Sequence, residues 1–245
     1  MIPFPLTLDG TIERRILINY RLDPAVAREL VPSPLRPLLV AGSAVAGVCL
    51  IRLGTLRPSG MPPAIGWRAE NAAHRIAVEW DDDGATRRGV YIPERHSDSW
   101  PPIAAGGRVF PGAHHRARFE ARESASHLWV QMTSESVDVA ADIEISDDWD
   151  SSLFPSLDDA SRFFREGAVG WSPDRSGRAL EGLRLDTRAW EITAARASRV
   201  SSSFFDALPH GAASLDNVLV MRDIPVRWRA HGRTIRVGGA EPVVV

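Results

Sequence analysis

Residues 68–93, RAENAAHRIAVEWDDDGATRRGVYIP, carry the reading that decides the fold. Ala69 to Trp80 reads as a strand, and the run Asp81-Asp82-Asp83-Gly84 is a strong hairpin signal, because Asp and Gly tolerate the positive φ angles that a tight turn demands. The returning partner is RRGVYIP, 87–93. Period-two alternation puts Glu70, Ala72, His74 and Ile76 on one face of the first strand and Asn71, Ala73 and Arg75 on the other.

More strands flank this hairpin. ERRILINYRLDP, 13–24, is rich in β-branched and aromatic residues. It runs into DPAVARELVP, 23–32, a short helix that Asp23 caps, with Pro24 in its first turn and Pro32 as its stop. Val45 to Leu53 is another strand, and RPSGMPPAIGW, 57–67, is loop. Downstream, SDSWPPIAAGG, 97–107, reads as a short helix. His114–Glu123, His127–Ser134 and Val137–Ile145 form a meander. SLDDASRFFREG, 156–167, is the clearest helix: Ser156 and Asp159 make a capping-box pair and Gly167 ends it. LRLDTRAWEITAAR, 183–196, is predicted as one strand and SSFFDAL, 202–208, as a short helix. The segments NVLVMRDIPVRW and RTIRV are predicted to close as a hairpin around His231-Gly232. Many short strands without alternating long helices predict an α+β, mainly β chain: an antiparallel cone-like β-barrel or sandwich with a few short helices, one domain over residues 1–245.

Composition narrows the function. The net charge of −2 gives no general attraction to nucleic acid or an anionic membrane. All 29 basic residues are arginine, so no side-chain amine can form a Schiff base. The single cysteine, Cys49 in VAGVCLI, is expected to be a small core residue, and no CxxC pair exists to hold zinc. The N-terminal MIPFPLTLDG lacks the pattern of a signal peptide, and the apolar run Leu38–Ile51 is too short to span a bilayer, so a cytoplasmic protein is expected. No GxSxG or phosphate-loop motif is present.

The order of these pieces resembles the acetoacetate decarboxylase-like superfamily, and most of all its YqjF-like branch of unknown function. The matching segments are ILINYRLDPAVARELVPSPL, RPSGMPP followed by AENAAHRIAVEW and GVYIP, IAAGGRVFPGAHHRA, DTRAWEITAARASRVSSSFFDALP and NVLVMRDIPVRW, spanning about residues 12–230. The resemblance implies a cone-like barrel enclosing a ligand cavity. In decarboxylating members two lysines follow the Phe-Pro or Tyr-Pro pair, the first forming the Schiff base; here Gly112 and Ala113 stand there. Decarboxylation by that mechanism is therefore excluded. Glu70 falls at the family's cavity glutamate, and the family's carboxylate-binding arginine falls at Glu13, beside Arg14 and Arg15.

The candidate catalytic residues are Glu70, His114 and His115; the two histidines alternate in direction on a strand, so only one can face inward. The candidate ligand-binding residues are Arg68 and Arg75, for bidentate capture of a carboxylate, and Tyr91, Trp100 and Phe110, as pocket walls. His96 and Asp98 near His114 and His115 match no metal-ligand spacing, so no metal or cofactor is expected. Two functions follow: a lysine-independent acid–base enzyme (elimination, isomerisation or cyclisation) on a small carbonyl or carboxylate compound, or a non-catalytic ligand-binding or sensing protein of the same fold. The expected partner is a small molecule, with no nucleic acid and no membrane, and with a homo-oligomer left open.

Overall fold

The computed structural model describes residues 7–99, 112 and 114–237. Among them the predominant element is the strand. In chain order these are β1 (Leu8–Leu22), β2 (Arg36–Pro37), β3 (Leu39–Val40), β4 (Ser43–Pro58), β5 (Trp67–Asp82), β6 (Ala85–Tyr91), β7 (Arg95–Ser97), β8 (His114–Glu123), β9 (His127–Ser134), β10 (Asp138–Ile145), β11 (Val169–Pro173), β12 (Ala179–Asp186), β13 (Thr193–Ser202) and β14 (Ala213–Arg236). The α-helices are α1 (Pro24–Leu30), α2 (Leu157–Glu166) and α3 (Ser203–Asp206).

Local chemistry sets the element ends. Asp83 and Gly84, at φ 49° and 78°, form the two-residue loop between β5 and β6, as the DDDG signal requires. The Asp23 carboxylate accepts from the backbone N–H groups of Ala25 and Val26 at the start of α1. At α2 the Asp159 N–H donates to Ser156 Oγ at 3.1 Å, and that hydroxyl donates to the Asp159 carboxylate at 2.7 Å.

The strands close into two rings that share a wall. One ring runs β5-β7-β8-β9-β10-β13-β14-β1-β4 and back to β5; the other runs β5-β6-β11-β12-β14-β1-β4 and back to β5. The long strands β1, β4, β5 and β14 belong to both. The division arises because β5 forks, residues 76–82 pairing with β6 and residues 71–73 with β7. Likewise β14 pairs with β13 at residues 218–220 and with β12 at 227–236. Opposite faces of the shared wall therefore line different lumens. The nine-stranded ring is filled by Ile16, Ile18, Val48, Leu50, Leu128, Val130, Met132 and Val139, all fully buried. On the other side α2 closes over the seven-stranded ring, packing Ala160 and Phe164 against Leu17, Cys49 and Ala77.

Three expectations are corrected. The stretch 183–196 is two strands, because β12 belongs to one ring and β13 to the other. The chain crosses between them through residues 187–192, where the Thr187 hydroxyl donates to the Pro225 carbonyl at 2.7 Å. His231-Gly232 is not a hairpin: β14 continues through it, with Glu181 opposite Thr234 and Leu183 opposite Ala230, so that Gly232, at φ 79°, sits in a bulge. The sheet is also not wholly antiparallel, since β7–β8 and β6–β11 pair in parallel. The helix expected at 97–107 lies mostly outside the described residues; Ser97 ends β7.

Candidate functional site

A cavity of about 150 Å³ occupies the lumen of the seven-stranded ring, and each of the ring's strands contributes to its lining. Most of the wall is apolar, including Ile51, Leu53, Leu56, Val90, Ile92, Phe164, Leu183, Trp190 and Trp228. Lining it are three arginines, Arg15 from β1, Arg75 from β5 and Arg95 from β7, together with His96 from β7 and His114 from β8.

Among the described residues these guanidiniums lack the usual counter-ions. Among the described residues no carboxylate forms an ion pair with any of the three. Arg15 Nε donates to Cys49 Sγ at 3.3 Å. Arg75 is only 4% exposed; its Nη2 donates to the Asn19 side-chain oxygen, its guanidinium lies 4.8 Å above the Phe164 ring, and its Nε has no hydrogen-bond acceptor among the described residues. Arg95 Nε donates to Ser172 Oγ at 3.2 Å, while its Nη2 has no acceptor among the described residues. Burial pulls the pKa of both Arg75 and Arg95 down to about 10. Asn19 in turn donates to Asn217 at 2.7 Å, and Asn217 to Asp216 at 2.8 Å, so two neutral amides separate Arg75 from the nearest carboxylate along this chain.

Gly112 shows why a lysine is not accommodated at the position where the resemblance would place one. Its φ is +97°, and a Cβ there would meet Ser172 Cβ at 2.6 Å and Arg95 Nε at 3.6 Å. The Arg95 side chain thus lies beside the place from which that lysine would start.

Glu70 faces the other way. It lies on the face of β5 opposite Asn71, Ala73 and Arg75, as the alternation in the sequence predicts, and it looks into the nine-stranded ring. There Arg14, Arg52 and Glu70 stand in register on β1, β4 and β5, and Glu123 reaches them from β8. Arg14 pairs with Glu70 and Glu123, each at 2.5 Å; Arg52 pairs with Glu70 at 2.7 Å and with Glu123 at 2.5 Å. Two positive and two negative charges therefore cancel locally. Asp98 is exposed and accepts from the Glu70 backbone N–H at 2.9 Å.

The other sequence candidates separate in the same way. His114 lines the cavity, whereas His115 is exposed and stacks on His96, ring centroids 5.6 Å apart, so the pair is not brought together on the site. Arg68 lies outside the cavity, exposed and paired with Glu13 at 2.5 Å. Tyr91 is a core residue rather than a cavity wall, and burial drives its hydroxyl pKa up to about 12. Trp100 and Phe110 lie outside the described residues. Sequence reasoning missed Arg95 and gave no cavity role to Arg15 or Cys49, although the adjacent Arg14-Arg15 pair at the resemblance position was the signal for Arg15. No helix among the described residues is long and apolar enough to cross a membrane.

The comparisons with known proteins bear on the fold. No curated protein matches the chain. Among solved structures, acetoacetate decarboxylase from Legionella pneumophila superposes with a TM-score of 0.59 at 16% identity, over 95% of this chain and 88% of that one. An acetoacetate decarboxylase-like enzyme from Sphingomonas wittichii gives 0.60 at 14%, over 98% and 95%. The enduracididine biosynthesis enzyme MppR, in complex with the condensation product of pyruvate and imidazole 4-carboxaldehyde, gives 0.59 at 16%, over 98% and 92%. At these identities the likeness establishes the fold, which is that of acetoacetate decarboxylase. The model of DUF2071, an uncharacterized conserved protein family, matches residues 10–221, and the chain belongs to that family.

Proposed function

We propose that this chain binds a small organic carboxylate in the lumen of the seven-stranded ring, with Arg15, Arg75 and Arg95 as the anion seat and the apolar wall holding the rest of the molecule. The observation that carries the reading is the set of three guanidiniums around one apolar cavity with no carboxylate paired to them among the described residues. Buried cations are normally paired, and here an anionic ligand would supply the missing charge. MppR is a structural neighbour whose complexes hold pyruvate and a pyruvate condensation product, which supports 2-oxo acids as the first class to test.

Binding or sensing is favoured over turnover by Glu70, because its carboxylate is engaged by Arg14 and Arg52 on the face away from the cavity. If protons are moved in the cavity, His96 and His114 are the imidazoles placed to move them. A Schiff base has no part in either case, since the sequence contains no lysine.

The test is calorimetry with pyruvate and longer 2-oxo acids set against their methyl esters. The acids should bind and raise the melting temperature with concentration, and the esters should not. Arg75→Met or Arg95→Met should weaken binding by roughly tenfold to a hundredfold, the worth of a hydrogen bond to a charged group. Equal binding of acid and ester, or no binding of any acid, would overturn the proposal. Exchange of the pyruvate methyl protons with D₂O, lost in His114→Gln, would place an acid–base step on top of binding.

A further inference from the structure

We infer that Cys49 is a nucleophile aimed at small carboxylates that carry an electrophilic carbon, a role that rests on the anion seat proposed above. Cys49 is the only thiol in the chain; it is buried and lines the cavity. Its Sγ accepts a hydrogen bond from Arg15 Nε at 3.3 Å. Cysteine sulfur is intrinsically strongly nucleophilic. Arg75 supplies the independent sign of a ligand: it lines the same cavity, is 4% exposed, and among the described residues leaves its Nε without an acceptor. A carboxylate seated on the guanidiniums would bring its attached carbons toward the sulfur.

The reaction class is addition of the thiol to an α,β-unsaturated carboxylate. The S–C bond forms at the β-carbon, the π pair shifts toward the α-carbon, and the α-carbon takes up the proton that the thiol gives up. His114, on the same cavity, is placed to carry that proton. The S–H bond is added across the double bond, so nothing is oxidised and no co-reactant is consumed.

The test uses two alkylating probes that differ in charge, iodoacetate and iodoacetamide; with either one the S–C bond forms, iodide leaves with its electron pair and the thiol proton is released. Because there is one cysteine, the adduct is assigned to it by its absence in Cys49→Ser, histidine and methionine being the other side chains these reagents alkylate. The ratio of the iodoacetate rate to the iodoacetamide rate, divided by the same ratio for glutathione, should be about tenfold or more, the local enrichment expected of a cleft of one sign. Arg75→Met and Arg95→Met should lower it, and pyruvate should slow iodoacetate labelling of the wild-type chain even if neither variant folds. A ratio equal to glutathione's, or a thiol that reacts with either probe only after denaturation, would overturn the inference. If calorimetry still registers pyruvate in that case, only the role of Cys49 falls; if it does not, the anion seat falls too.

Discussion

In the nine-stranded ring, Arg14 and Arg52 each bridge Glu70 and Glu123, and the lumen behind them is packed with aliphatic side chains. In the seven-stranded ring, Arg15, Arg75 and Arg95 face a cavity and, among the described residues, meet a thiol, a thioether, a carboxamide, a hydroxyl and an aromatic ring. The same four strands supply both walls, and adjacent residues, Arg14 and Arg15, take opposite sides. The difference separates two uses of buried charge. A cluster whose charges sum to zero needs nothing from outside and fastens strands together. A cluster with excess charge of one sign is incomplete without an external partner, and its cost in stability is one that a binding site accepts.

The comparison is broken most easily at Glu70. In Glu70→Leu, Arg14, only 1% exposed, and Arg52 each lose one carboxylate, and unfolding free energy from urea titration should fall by about 3 kcal/mol or more. Carboxylate affinity should not change. Lost affinity in a folded Glu70→Leu protein would return Glu70 to the functional site and dissolve the distinction between the rings.

Next in size is an acid effect on the nine-stranded side. His74 is buried there, bonded through Nε2 to Ser202 Oγ at 2.9 Å and stacked against Phe204, and burial holds its pKa at about 3. The folded imidazole stays neutral while the unfolded one takes a proton near pH 6.5. Stability from this group is therefore complete above pH 6.5 and lost as the pH falls toward 3, by roughly 3–5 kcal/mol at the low end. His74→Gln, which keeps a polar partner for Ser202 but does not titrate, should flatten the acid limb of unfolding free energy against pH; an unchanged limb would mean His74 is charged in the fold.

A smaller effect of opposite sign belongs to the cavity. Arg75→Met removes a buried cation whose depressed pKa marks a destabilising charge at any pH below about 10. The variant should melt higher, by about 1–3 kcal/mol of unfolding free energy, while losing carboxylate affinity. A loss of both would mean Arg75 is a structural strut like Arg14.

Legibility in the sequence followed how local the determining chemistry was. The Asp83-Gly84 turn, the Asp23 and Ser156 caps and the strands from His114 to Ile145 depend on residues a few positions apart, and all were readable. The break between β12 and β13 was not, because it reflects which part of β14 each strand pairs with, contacts between about 20 and 60 residues away. The bulge at Gly232 uses the same residue type as a hairpin turn, so composition could not separate them. At the site, the alternation along β5 placed Arg75 opposite Glu70 correctly. The register shift between Ile12 and Arg14 decides which of Arg14 and Arg15 reaches the cavity, and a one-residue slip would exchange them. Arg95 was missed because its strand has three residues and is held by a parallel pairing with β8, for which nearby sequence carries no signal.

The smallest effect sharpens the comparison from outside both lumens. Arg68 is two residues from Glu70 and was an equal candidate for carboxylate binding, yet its side chain is 66% exposed and its partner is Glu13 at 2.5 Å. An exposed pair of this kind is screened by solvent and gains little over two hydrated charges. Arg68→Ala should therefore shift unfolding free energy by less than about 0.5 kcal/mol and leave carboxylate affinity within error of the wild type. The same calorimetric titration that loses its signal in Arg75→Met should keep it here. A matching loss in Arg68→Ala would mean that positive charge near the shared wall, and not its projection into the seven-stranded lumen, is what the ligand reads.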